Sequence, residues 1–311
     1  MGVNAPFPVI PELTGITLAY RNKRLIADAV SPRLDPPLAK QLFKYHVFTK
    51  EEGFTIPDTK VGRKSAPNEV EFTAAEKEAS TEDHGLDDVV PNEDIVNAEG
   101  IYDPVDHAVE MLTGLVLLAR EKRVADTTFA AATYPTGNKA TLSGTDQWSD
   151  VTSKPIIKIG DALDIPLIRP NTMVIGRSAF TSLVRHPDIV KASHANAGDS
   201  GIARRQDIAE LFELENIYVG EAFYNSAKRG QPAAYARLWG GHCSLLHLNE
   251  LARNDDGQIT FGYTAQWGNR VSGQMPEPKI GLKGSQRVRV GESVKEVISA
   301  SDLGYLFTDA V

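Results

Sequence analysis

Several things are scarce or missing in this chain of 311 residues. It has a single cysteine, Cys243, so no internal disulfide framework can hold it, and that usage suits folding in a reducing cytoplasm. It has no apolar run of membrane length. The most apolar stretch, residues 111–119, is interrupted by Thr113 and Gly114 and is too short to cross a bilayer, so no membrane partner is expected. The opening residues MGVNAPFPVIPELTG lack a basic start followed by an apolar run, which argues against a secretory signal. Positive charge is not in excess: 33 Lys and Arg stand against 41 Asp and Glu, with a pI near 5.5. Dedicated nucleic-acid readers concentrate cations, so that class is disfavoured, while weak contact with DNA through local patches is not. Cofactor fingerprints and metal-ligand spacings are also missing, and no cofactor or metal is expected.

What is present is an unusual distribution of acid. Residues 50–94 hold 13 of the acids and 5 of the bases, a net of −8, which is the formal charge of the whole chain. The other residues balance. This segment has only eight large apolar residues (Phe54, Ile56, Val61, Val70, Phe72, Leu86, Val89 and Val90), too few to offset the entropy of ordering it alone. If it is ordered, surfaces outside it must hold it. FTIPDTKVG and NEVEFTA show local period-two alternation, and Gly62-Arg63-Lys64-Ser65 lies near the expected tip of a long hairpin. The composition equally permits an acidic disordered linker.

Around this projection the chain mixes helical and extended patterns without regular βαβ repetition, which favours an α+β fold. Residues 1–45 are rich in proline, with a short helix or strand expected in ITLAYRNKRLIADAV. The clearest helix spans 103–124. Asp103 suits the cap, Pro104 the first position and Asp106 the first turn, and Arg120, Lys122 and Arg123 fall in its expected last turns. Its apolar face is too wide for one-sided packing. A weaker helix is expected at 153–165, a buried strand at NTMVIG, and a short helix at SAFTSLVRH capped by Ser178. RRQDIAELFEL reads as an amphipathic helix. NIYVG, RLWGGHCSLLHLN and QITFGYTAQWG read as strands, and the tail RVRVGESVKEVISASDLGYLF as a strand pair.

Three motifs invite catalytic or ligand readings, and a structural reading outweighs each. Gly198-Asp199-Ser200-Gly201 resembles the nucleophile loop of chymotrypsin-like proteases, but no histidine sits in a matching context, so Ser200 as a hydrolase nucleophile is a remote alternative. His242, Cys243 and His247 fall in one expected strand, where alternation keeps the two histidines on opposite faces. Tyr134-Pro135-Thr136-Gly137-Asn138-Lys139 lacks the glycine before and the hydroxyl after the lysine of a phosphate loop, so an exposed turn is expected. A fourth feature is electrostatic. Lys279, Lys283, Arg287 and Arg289 form a stretch with no acid between Glu277 and Glu292. Such a stretch suits the acidic projection of a neighbouring copy, through Glu69, Glu71, Glu76 and Glu78, with charge setting register more than affinity.

The order of parts resembles the tailed-phage major capsid proteins of the Hong Kong phage fold. FTIPDTKVGRKSAPNEVEFTAAEKEASTEDHGLDDVVP is similar to the extended loop of that family. RPNTMVIGRSAFTSLVRHPDIV, DIAELFELENIYVGEAFYNSA and RLWGGHCSLLHL are similar to its second half. The resemblance implies an N-terminal arm at 1–47, an extended loop at 48–95, a peripheral domain at 96–168 and 270–311 with a spine helix, and an axial domain at 169–269. It implies a non-enzymatic subunit of hexamers and pentamers in an icosahedral shell around double-stranded DNA. The implied partners are a separate scaffolding protein, a portal and possible decoration proteins, with assembly in the host bacterial cytoplasm and residence in the virion. An encapsulin-like nanocompartment shell is the alternative.

Overall fold

The extended and helical patterns resolve, in a computed structural model of the chain, into eight α-helices and thirteen strands among the described residues. Those residues are 8–20, 22–47, 56–63, 65–69, 75–100, 102–193, 201–249 and 259–311, with the backbone alone for 46, 47, 75 and 76. Helices α1 (Pro11–Ala19) and α2 (Ala27–Val30) lead to strand β1 (Leu42–Val47). Strands β2 (Ala75–Ser80) and β3 (Glu82–Pro91) precede helices α3 (Asn92–Asn97) and α4 (Pro104–Thr128). Then come β4 (Lys139–Thr141), α5 (Pro155–Asp164), β5 (Thr172–Gly176), α6 (Arg177–Arg185), α7 (Pro187–Ser193) and α8 (Arg205–Phe212). β6 (Asn216–Gly220), β7 (Phe223–Asn225), β8 (Tyr235–Arg237) and β9 (Cys243–Leu246) follow, then β10 (Gly262–Gln266), β11 (Val271–Glu277), β12 (Ser285–Ile298) and β13 (Gly304–Thr308).

The start of α4 follows its local chemistry. The Asp103 carboxylate accepts from the Val105 amide at 2.8 Å and the Asp106 amide at 3.4 Å, and Pro104 occupies the first turn, where its missing N–H is not needed. Its end does not follow the charge pattern. The helix continues through 25 residues to Thr128, so Arg120, Lys122 and Arg123 lie inside it, and Arg120 is buried. At a rise of about 1.5 Å per residue it is roughly 37 Å long. Val105, Val109, Leu112 and Val116 face inward, while Met111 and Leu115 stay about half exposed.

β12 is the axis of a four-stranded sheet. Its Val288, Val290, Val294 and Val297 are all buried, Val297 in a cluster with Leu34, Phe43 and Tyr263, while Val288 and Val290, two apart, point to one side. β3 runs antiparallel along one edge of β12, while β10 and β11 pair in succession along the other. The N-terminal half of α4 and α1 cover the buried face, joining Leu13, Val90, Val109 and Leu112 to the valines. Each such side chain contributes about 1.5–3 kcal/mol on burial.

The second sheet has the order β4-β13-β9-β5-β6. β5 is buried throughout, and its alternation decides the layers. Met173 and Ile175 pack against α5, α6, α7 and α8 through Ile159, Leu183, Ile189 and Ile208. Val174 points the other way, to Trp239, Phe261 and the C-terminal end of α4 at Val124 and Ala125. α4 therefore touches both sheets, one with each half.

Four local expectations are corrected. β12 and β13 do not pair with each other: β12 stays in the first sheet, and β13 crosses to the second, parallel to β4. The stretch 237–249 is not one strand, because residues 238–241 turn before β9. Gly176, not Ser178, is the cap residue of α6, and the Ser178 hydroxyl donates to the Gly240 carbonyl at 3.0 Å. The 134–139 turn is exposed only in part: Thr136 and Gly137 are exposed, but Tyr134 and Asn138 are buried, and the Asn138 amide donates to the carbonyls of Asp302 and Gly304. The sheets also cut across the boundaries drawn at 168 and 269. β4 and β13 join strands of the axial stretch, and β10 joins the sheet of β12.

Candidate assembly interface

The acidic projection is built in two parts. Its outer part is a hairpin. β1 and β2 pair antiparallel over six rungs, from Leu42 opposite Ser80 to Val47 opposite Ala75. Farther out, the Asn68 side-chain amide donates to the Asp58 carbonyl at 2.8 Å, so the two passes still lie side by side. The Ser65 amide closes a turn on the Gly62 carbonyl at 3.1 Å. Most described residues here are exposed, and Ile56 is 94% exposed. The inner part, β3, is held by ten rungs to β12 and places Val90 in the core.

The basic stretch runs along β12 and the turn before it. The Asp87 carboxylate accepts from Arg289 Nε and Nη2, both at 2.6 Å, and from Arg287 Nη1 at 3.4 Å. Arg287 Nε donates to Glu277 at 3.0 Å. Hydrogen bonding from Arg289, helped by the charge of both arginines, holds the Asp87 carboxyl below its ordinary range despite partial burial. The same bonds hold both guanidinium groups on their protonated side. Lys283 faces Glu93 at 3.3 Å, and the Asn92 side-chain amide donates to the Lys283 carbonyl at 2.9 Å.

Between β11 and β12 the chain turns through Gly281 and Gly284, with φ of 76° and 75°, a region that suits glycine. The turn presents Leu282 at 98% exposure, with Ile280 partly exposed beside it. Lys279 is exposed and has no partner among the described residues.

The residues singled out by charge therefore fall into three groups. Arg287, Arg289 and Lys283 are engaged within the chain, by Asp87, Glu277 and Glu93. Glu78 pairs with Lys44 across the hairpin at 3.7 Å, and Glu69 is exposed. Glu76 stands opposite His46 in the register, its side chain outside the described residues together with all of Glu71. Charge counting missed Asp87 and Glu277. The alternation of Arg287 and Arg289 on one strand face is the signal that called for cross-strand acids.

The catalytic and metal readings find no support. Ser200 lies outside the described residues. His186 is built into a joint: its Nε2 lies 3.0 Å from both the Ser153 hydroxyl and the Asp150 carbonyl, and its Nδ1 accepts from the Asp188 amide. His242 accepts from the Asp309 amide, Cys243 is buried, and burial pushes its thiol up. Among the described residues no group of three His, Cys, Asp or Glu side chains is placed to hold a metal, and no helix is long and apolar enough to cross a membrane.

Comparison with known proteins adds the remaining observation. No family model matches the chain. The chain is 54% identical, over 308 residues and 99% of both chains, to the major capsid protein of Pseudomonas phage JBD67. Its fold is similar to a phage-related protein from Bordetella bronchiseptica, with a TM-score of 0.76, 22% identity and 98% of each chain covered. It is also similar to the capsid structure of cyanophage P-SCSP1u, with a TM-score of 0.59, 10% identity, and 99% of this chain and 92% of that one covered.

Proposed function

Because this chain belongs to the family of phage major capsid proteins, we propose that its copies join as hexamers and pentamers in an icosahedral shell enclosing double-stranded DNA. As a major capsid protein it is structural and not an enzyme, with the Hong Kong phage fold, and the capsid of the virion is its place. The observation that carries the reading is near-full-length identity of 54% to a phage capsid protein, which also favours a phage shell over an encapsulin-like compartment. In this reading residues 1–47 are the arm, 48–95 the extended loop, and α4 the spine of the peripheral body. Shell growth takes place in the host cytoplasm with a scaffolding protein and a portal, decoration proteins add afterwards, and DNA meets the inner wall through weak, salt-sensitive contacts.

Contacts between copies use the projection and the β11–β12 turn. An exposed hairpin rich in acid fits a neighbour's Lys279, Lys283, Arg287 and Arg289, with Leu282 supplying apolar area. Supporting this is the exposure of Glu69, Glu78, Lys279 and Leu282 in the single chain. Arg287 and Arg289 already carry Asp87, so an incoming carboxylate there joins an existing network, while Lys279 offers a free charge. Electron microscopy of purified protein at high concentration tests the reading. Closed shells with six-fold and five-fold capsomers are expected, and protein that stays monomeric with a scaffolding protein present would overturn it. Nuclease-protected DNA inside particles from infected cells separates a genome container from a protein-cargo compartment.

A further inference from the structure

A cluster of buried charge around Arg120, Glu121 and Glu292 has no part in the contacts above. It lies where residues 26–38 cross the body. Glu121, in the middle of α4, is fully buried. Its Oε1 accepts from the Ile26 amide at 2.9 Å and from the Trp239 indole N–H at 2.7 Å, and its Oε2 accepts from the Ala27 amide at 2.7 Å. One carboxylate thus caps α2, grips α4 and holds the turn before β9. Burial pushes the Glu121 carboxyl up, against the pull of these three donors and of Arg120. Arg120, 1% exposed, turns to the strap as well: it donates to Asp28 at 2.5 Å and to the Ser31 carbonyl and Thr264 hydroxyl at 3.0 Å. Arg33 bridges Asp28 and Glu292, each at 3.0 Å.

What this cluster holds is an edge. β10 pairs with β12 on one side only. On its other side residues 32–38 run parallel to it: the Thr264 amide donates to the Pro32 carbonyl at 2.8 Å, Leu34 to Thr264 at 2.9 Å, and Leu38 to Gln266 at 2.8 Å. Without that segment β10 would show a row of free donors and acceptors, a template for another strand. Hydrophobic packing does not require two buried charges of opposite sign side by side, and such groups are better at setting one register than at adding stability.

We propose that Glu121 is the fastener of a strap, residues 26–38, which closes the edge of β10, and that an unfastened edge takes the same segment of a second copy. The strap is the fitting occupant because its backbone already matches β10, and an exchanged strap would keep the contacts that the seated one makes. This concerns the free subunit and goes beyond the shell reading.

Glu121→Gln tests it in the full-length protein. The three partners are all N–H donors, and a glutamine amide sets its own N–H against at least one of them. Amide exchange at Leu34, Leu38 and Thr264 should rise about tenfold or more, while Val288 and Val290 in β12 keep wild-type protection. Sedimentation should show a dimer whose fraction grows with concentration. Unchanged protection at the strap would overturn the proposal, as would a uniform rise across β12, which marks general destabilisation. A freed strap on a protein that stays monomeric at all concentrations would overturn the exchange. If Glu121→Gln does not fold, Glu121→Asp carries the same readouts, since it keeps the charge and shortens the reach.

Discussion

The two halves of the acidic segment are ordered by different means. β3 has a neighbour for each residue of its length, a buried valine, and an aspartate clamped by two arginines. The β1–β2 hairpin has six rungs, a buried Phe43 at its base, and an ion pair at 3.7 Å between the exposed side chains of Lys44 and Glu78. β2 and β3 are both acidic, whereas β1 brings Leu42, Phe43, Tyr45 and Val47 and no acid. What separates the two parts is direct pairing with β12, whose Val288 and Val290 supply a core that β3 borrows. A strand gains order from the sheet it joins more than from its own composition. The hairpin meets the body at its base, through Phe43 against Tyr263 and Val297, and most of its described residues beyond that point are exposed.

Substitutions can break this contrast at different depths. Val290→Asp places an unpaired carboxylate where the side chain is fully buried, so it should remove about 3 kcal/mol or more and strip β3 of its support. Calorimetry would show the loss of the main transition. By contrast Ile56→Asp, in the outer hairpin, should change stability by about 0.5 kcal/mol or less while lowering shell yield in light scattering. If Ile56→Asp melts the isolated subunit, the outer hairpin has support inside the chain and the contrast fails.

Asp87→Asn should cost about 0.5–1 kcal/mol in urea denaturation at neutral pH, since the pair is partly exposed. Its pH dependence has a definite sign. A carboxyl held below its ordinary range adds stability above the unfolded value of 3.8, and that contribution is lost as pH falls through the lower folded value. The gap between wild type and Asp87→Asn should therefore close in acid. Leu282→Ser should leave the melting temperature unchanged and raise the protein concentration needed for assembly about tenfold. Smallest of all, Glu78→Gln should shift stability by only a few tenths of a kcal/mol, because both partners are exposed.

Legibility followed distance along the chain. The start of α4 was readable because Asp103, Pro104 and Asp106 act within one turn of each other. β5 and α6 were readable from a short apolar run and a helical period, whereas the alternating stretches 54–62 and 68–74 lie partly outside the described residues and the paired strands fall at Leu42–Val47 and Ala75–Ser80. The end of α4 was not, because Arg120 reads as a terminal cation and is in fact a buried partner of Asp28, 92 residues away. Asp87 was hidden for the same reason: its arginines lie 200 and 202 residues further on.

Local order and the uneven spread of charge belong to the chain as written, since capping, periodicity and net charge need no partner beyond a few residues. Which sheet claims β13, where the strap lies, and which carboxylates meet Arg287 and Arg289 depended on distant segments arriving at one place. Those outcomes are set by pairing and burial across the assembled body, and no window of sequence contains both sides of them.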